Sequence, residues 1–154
     1  MTETLIQVEN LSRYYQNHRA INQLSFTLKA GEVLGFLGPN GAGKSTTMQV
    51  ISGNLAPSDG EVKIAGYDII DTPREAKSQL GYLPEHPPLY RDASVDEYLG
   101  YCARLHRIPR TAIKAALSKV KAQCGLETNG ARLIRNLSKG YQQRVGIAQA
   151  IIHD

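Results

Sequence analysis

The sequence has little that would lock it covalently or anchor it in a bilayer. It holds two cysteines, Cys102 and Cys124, set in different helical patterns and without C-x-x-C spacing. Reduced, partly buried thiols are expected there rather than a disulfide or a metal site. Four histidines (His18, His86, His106 and His153) form no ligand-spaced pair. No apolar run approaches the length of a membrane-spanning helix, about 20 residues. Met1-Thr2-Glu3-Thr4 does not read as a signal peptide. Any membrane role is therefore expected to run through a partner. Internal repeats and low-complexity segments are absent, and so are blocks of one charge. The 18 Lys and Arg residues against 14 Asp and Glu give a net charge of +4 and a pI near 9.1. That scattered, mildly basic balance suits a phosphate ligand or an anionic membrane surface without demanding nucleic acid. Arg104, Arg107 and Arg110 read as a solvated face.

What is present fits one domain with a real core: 154 residues, 42% hydrophobic and 21% charged. Its centre is Gly38-Pro39-Asn40-Gly41-Ala42-Gly43-Lys44-Ser45-Thr46, a match to G-x-x-x-x-G-K-[ST]. Glycines let the backbone turn tightly and bring successive N–H groups against a phosphate. A helix opening at Lys44 would aim its free N–H groups and positive dipole end at the same anion. Lys44 would add a full charge between the β- and γ-phosphates, and the Ser45 hydroxyl could ligate Mg²⁺. A contact from Thr46 to the α-phosphate is expected.

The flanks supply the context such a loop needs. Leu5, Ile6, Val8 and Leu11 mark a β-like segment, and Asn17-His18-Arg19 reads as a turn. Ile21 to Leu28 alternates, with Leu24, Phe26 and Leu28 on one face and Gln23, Ser25 and Thr27 on the other. These two segments predict an antiparallel layer with one wet face. Glu32 to Leu37 is nearly all apolar, which predicts a strand covered on both faces in a parallel sheet. Lys44 to Ser52 is expected as a largely buried helix, through Thr47, Met48, Val50 and Ile51, capped by Gly53. Strands are expected at 61–65 and 80–83, with a short helix from Pro73 to Gln79 between them. Ser94 with Glu97 reads as a capping box, opening a helix with the stripe Val95, Tyr98, Leu99, Cys102 and Leu105. A further helix over 111–123 carries Ile113, Ala116, Leu117, Val120 and Cys124, with Gly125 after it. Residues 86–136 thus read as a mostly helical insert in an α/β chain, and Ser138 opens a last helix.

That last helix start carries a second motif, Leu137-Ser138-Lys139-Gly140-Tyr141-Gln142. A serine and a glycine at a helix N-terminus make another anion site. One nucleotide needs only one such site in a chain. Two chains packed head to tail would place each phosphate between the loop of one and the serine of the other. Here the chain resembles the ATP-binding subunit of ABC transporters, over essentially its whole length. Gly38 to Thr46 is similar to the Walker A loop, and Leu137 to Gln142 to the signature usually written L-S-G-G-Q. Tyr15 matches the aromatic that stacks on adenine, with Tyr14 as the fallback. Glu85 stands where the family has its Q-loop glutamine.

The resemblance implies an α/β P-loop NTPase core with an N-terminal antiparallel β-layer and an inserted helical subdomain, incomplete at the C-terminus. It implies ATP and Mg²⁺ as ligands, and a dimer or a paired ABC ATPase around two nucleotides. Ser138 and Gly140 would face the partner's phosphate, Ser45 and Glu85 would meet the metal, and Lys44, Glu85 and Ser138 would serve hydrolysis. A transmembrane permease would be the partner and the inner face of the cell membrane the place. No nucleic-acid partner is expected.

Three departures qualify this. Lys139 and Tyr141 replace a Gly and a Gln of the usual signature, although Ser138 and Gly140 remain. Glu85 replaces a glutamine, changing charge rather than reach. The Walker B aspartate, catalytic glutamate, D-loop and switch histidine have no match, because Asp154 follows no apolar strand and Ile151-Ile152 belongs to the signature helix. Turnover by these residues alone is therefore expected to be negligible. The run Gly81 to Tyr90 resembles the subgroup serving multidrug, gliding-motility and reductase-maturation export. The alternatives are a soluble ABC ATPase of translation or DNA repair, whose tandem domains or coiled-coil insertions are not visible, and a nucleotide-binding fragment without turnover.

Overall fold

The computed structural model describes residues 3–154, and its chain contacts divide into two compact units, Met1–Leu80 and Gly81–Asp154. The expected insert, 86–136, falls inside the second.

In the first unit, β1 (Thr4–Tyr15) and β2 (His18–Lys29) form one long antiparallel hairpin. The turn is tighter than the sequence suggests, because Tyr15 pairs with His18 and only Gln16 and Asn17 are left to reverse the chain. Leu24, Phe26 and Leu28 alternate with exposed Gln23, Ser25 and Thr27, as expected of a sheet with one wet face. β3 (Asp59–Ile64) pairs antiparallel with the other edge of β1, and β4 (Tyr67–Asp68) with β3, giving the order β2-β1-β3-β4. Helices α1 (Lys44–Ile51) and α2 (Pro73–Ser78) complete the unit. Val8, Leu11, Ile21, Val50, Ile51, Val62 and Ile64 share its buried core. Met48, expected inside, is 42% exposed on α1's outer side.

Two expected strands are not formed. Glu32–Leu37 takes no regular structure, and Val33 and Leu37 are 98% and 96% exposed. A parallel strand needs a hydrogen-bonded neighbour delivered by a crossover. Among the described residues no strand lies beside this segment, because the only sheet is antiparallel and ends at β2 and β4. Its main attachment is an edge-to-face contact of Phe36 with Phe26, centroids 5.4 Å apart. Leu80–Leu83 likewise takes no regular structure.

The second unit is helical: α3 (Val95–Leu105), α4 (Arg110–Cys124), a single 3-10 turn (Ile134–Asn136) and α5 (Lys139–Ile151). The capping box at α3 is complete. The Ser94 N–H donates to Glu97 Oε2 at 2.7 Å, and the Glu97 N–H to Ser94 Oγ at 3.3 Å. These bonds hold the Glu97 carboxyl below its ordinary value. Val95, Tyr98, Leu99 and Cys102 pack with Val120, Leu126, Ile134, Leu137, Val145 and Ala148 in one core. Leu105 departs from the expected stripe and is 62% exposed, since α3 ends there. Cys102 and Cys124 are free thiols, and burial pushes both above the usual thiol range. Among the described residues no helix is long and apolar enough to cross a membrane.

Candidate nucleotide site

The glycine-rich loop sits where the chain enters α1. Gly43 is the residue before the first helical turn and takes a left-handed conformation, φ 87°. A side chain there would carry its Cβ into the backbone carbonyl of Ala20 on β2. Glycine is therefore required twice over, by the backbone angle and by the approach of the strand. The Gly43 carbonyl accepts from the Thr47 N–H at 2.8 Å and from Thr47 Oγ1 at 2.9 Å, with Thr47 buried beneath the loop. The front of the loop is thus fixed to β2 on one side and to α1's buried face on the other.

Lys44 is the first residue of α1. Its ammonium donates to the carbonyls of Gly38 and Pro39, at 2.7 Å each. The side chain folds back across the loop, so the charge is held over the same turn that exposes Gly38 to Ala42. Ser45 is exposed at the helix N-terminus, and α1 has no side-chain cap and no acidic residue in its first turn. The N-terminal N–H groups are left for another acceptor. A cavity of about 440 Å³ opens beside the loop, lined by Gly41, Ala42, Lys44 and Thr47 and by Arg19 to Asn22 of β2. Lys44 and Arg19 put two cations on its wall and no carboxylate lines it, so it favours an anion.

Tyr15 stands at the end of β1, 43% exposed, with the Arg13 guanidinium 4.8 Å from its ring centre. Tyr14 is 39% exposed and carries Arg19 at 5.1 Å. Neither tyrosine lines the cavity.

Glu85, Ser138 and Gly140 belong to the second unit. Ser138 is the N-cap of α5, its Oγ accepting from the Tyr141 N–H at 3.5 Å. Gly140 has open space where a side chain would stand. Gln142 turns back from the helix to donate to the carbonyls of Leu137 at 3.0 Å and Ile134 at 3.2 Å, which fixes the approach to the cap. Glu85 is exposed in the proline-rich loop.

Sequence reasoning missed the residues that hold this loop. Gln149 of α5 donates to the Tyr82 carbonyl at 2.9 Å. Gly146 gives α5 a flat spot on which Leu83 and Pro87 lie, so that an added Cβ would come 2.7 Å from Leu83 Cδ1. Thus the Glu85 loop is seated on the helix that Ser138 caps. A glycine and a glutamine three residues apart in a helix give no signal in one sequence.

The profile of the family described as ABC transporter matches residues 21–154. The chain belongs to the ABC transporter family. Its similarity to individual members of that family is spread over nearly its whole length. It is 36% identical over 155 residues to the ABC transporter ATP-binding protein NatA of Bacillus subtilis (strain 168), covering 97% of this chain and 63% of that protein. Against the SkfA peptide export ATP-binding protein SkfE of the same organism it is 35% identical, covering 97% of this chain and 62% of that one. A solved ATP-binding subunit of an ABC transporter superposes with a TM-score of 0.87 at 31% identity, covering 97% of this chain and 62% of that one. The α/β P-loop NTPase fold follows from these neighbours, with the antiparallel layer and the helices as its visible parts. The chain spans less than two thirds of the length of these ABC relatives.

Proposed function

We propose that this chain is the nucleotide-binding part of an ABC transporter ATP-binding subunit, which takes ATP at Gly38–Thr46. The observation that carries the reading is the loop itself: Gly43 in a left-handed turn, uncapped N–H groups at α1 and the Lys44 ammonium folded over the turn. In this reading Gly38, Pro39, Asn40, Gly41, Ala42 and Gly43 offer backbone to the phosphates. Lys44 leaves its two carbonyls for the β- and γ-oxygens, and Thr46 meets the α-phosphate. Tyr15 stacks on adenine through its exposed face.

The exposed Ser45 hydroxyl is an oxygen ligand of the kind a hard cation takes. Mg²⁺ bound there would neutralise charge on the phosphates. Ser138 and Gly140 would meet the nucleotide of a second ATP-binding subunit, and Lys44, Glu85 and Ser138 would stabilise in-line attack of water on the γ-phosphate. A permease at the inner face of the membrane would use the resulting motion, in the direction of export. The activity proposed for residues 1–154 by themselves is binding.

The test is calorimetric titration of the chain with MgATP, MgADP, AMP and tripolyphosphate. Saturable binding of ATP and ADP, with AMP much weaker, is the expected result. Equal binding of AMP, or no ATP binding by a folded chain, would overturn the reading.

A further inference from the structure

Residues 98–126 contain six cations, Arg104, Arg107, Arg110, Lys114, Lys119 and Lys121, and not one carboxylate. Two of them have partners. Lys121 pairs with Asp96 at 2.6 Å, and Lys119 donates to the Asp154 carbonyl at 2.9 Å. The other four are exposed, and none makes a side-chain hydrogen bond or ion pair among the described residues. They cluster at the corner between α3 and α4. Arg104 ends α3, Arg107 lies in the turn at φ 58°, and Arg110 and Lys114 follow one turn apart on α4.

The helix dipole accounts for Arg104, in the last turn of α3, but not for the rest of this charge. Arg110 starts a helix whose first turn has no acid, so its cation stands at the positive dipole end, where it is unfavourable. The corner also exposes apolar surface. Leu105 is 62% exposed and Tyr101, one turn earlier on α3, is 37% exposed. The spacing puts both on one face of the helix.

We propose that this corner is a docking surface for an anionic phospholipid bilayer. Charge complementarity carries the choice of a negative partner, and the apolar pair selects lipid over nucleic acid. Arginines reach headgroup phosphates while a leucine and a tyrosine enter the interface, the composition of an interfacial helix end. Each cation near an anionic leaflet strengthens binding by roughly fivefold, so four give a contact that is measurable yet reversible. The contact is one of this chain's own residues with lipid. It requires neither nucleotide nor permease.

The sequence has no tryptophan, so Leu105→Trp in the full chain gives a single reporter. Its emission is expected to shift to the blue with vesicles of phosphatidylcholine containing about a third phosphatidylglycerol, and not with phosphatidylcholine alone. The triple reversal Arg104→Glu, Arg107→Glu and Arg110→Glu is expected to weaken sedimentation with anionic vesicles by at least tenfold. Equal charge reversal at Lys29, Arg74 and Lys77 in the first unit is expected to change it less than twofold, with helical circular dichroism unchanged in both. Equal binding to the two vesicle types, or equal loss in the two reversals, would overturn the proposal. So would displacement of the vesicles by duplex DNA at matched phosphate concentration.

Discussion

The sharpest test of the loop is Lys44→Met. Methionine keeps most of the stem and removes the charge. The ammonium lies 2.7 Å from both the Gly38 and Pro39 carbonyls. It is therefore positioned at the turn by the loop's own backbone. Its exchange from carbonyls to phosphate oxygens replaces neutral acceptors with charged ones. A hydrogen bond to a charged group contributes about 1.5–3 kcal/mol, so losing it should raise the Kd for ATP by about 10- to 150-fold. Fold stability should move far less, because Gly38 and Pro39 are exposed and water can satisfy their carbonyls. A change under about 1 kcal/mol corresponds to a Tm shift of a few degrees at this size, roughly 2–4 °C. Titration with a fluorescent ATP analogue reads the first quantity and a thermal melt the second. ATP binding within threefold of the parent would refute the phosphate role of Lys44. A collapse of the melt would show instead that its bonds to the two carbonyls hold the unit together.

Gly43→Ala should cost about 1–2 kcal/mol for the left-handed angle and more for driving a Cβ into the Ala20 carbonyl, lowering the thermal midpoint and removing ATP binding together. Ser94→Ala should remove the Oγ that accepts from the Glu97 N–H, leave the backbone N–H of residue 94 on the Glu97 carboxylate, and destabilise the second unit by about 1 kcal/mol, read by denaturant titration of helical circular dichroism. His106 is held below the ordinary histidine value, first by burial and then by His153, whose ring stacks on it at 4.1 Å. A depressed histidine binds fewer protons folded than unfolded. Stability from this position is therefore complete above the unfolded value, about 6.5, and declines as pH falls from there toward the lower folded value. His106→Phe should flatten that part of a Tm-against-pH profile; an unchanged slope would refute the assignment.

The sequence was legible wherever the determining interaction is local. The capping box needs only Ser94 and Glu97, and it forms as read. The alternation of Leu24, Phe26 and Leu28 needs only the pleat, and it appears. Gly125 closes α4 in a left-handed conformation, which a glycine takes without a Cβ clash. Leu105 was misread because periodicity says which side a residue faces but not where the core stops. Gln149 and Gly146 could not be found at all, since their partners Tyr82, Leu83 and Pro87 are more than 55 positions away in sequence.

The segment 32–37 shows why composition is not enough for a strand. Its apolar run is what a sheet buried on both faces uses, yet a ladder is a property of two strands and not of one. Without a neighbour the same residues leave Val33 and Leu37 almost wholly in solvent. This has a consequence for the loop they lead into. The front of Gly38–Lys44 is held by Ala20 and Thr47, both part of packed elements. The rear is tied by the Lys44 ammonium at the Gly38 and Pro39 carbonyls, and before that by Phe36 and the Glu32 turn. An anion site gains affinity when its donors are fixed before the ligand arrives. Here α1 and Lys44 meet that condition, whereas Val33–Leu37, which leads into the turn, does not. Ordering of Val33–Leu37 by a paired strand would remove that entropic cost without adding a contact to the nucleotide. On the proposed reading, affinity for ATP would be set in part by residues outside the phosphate loop.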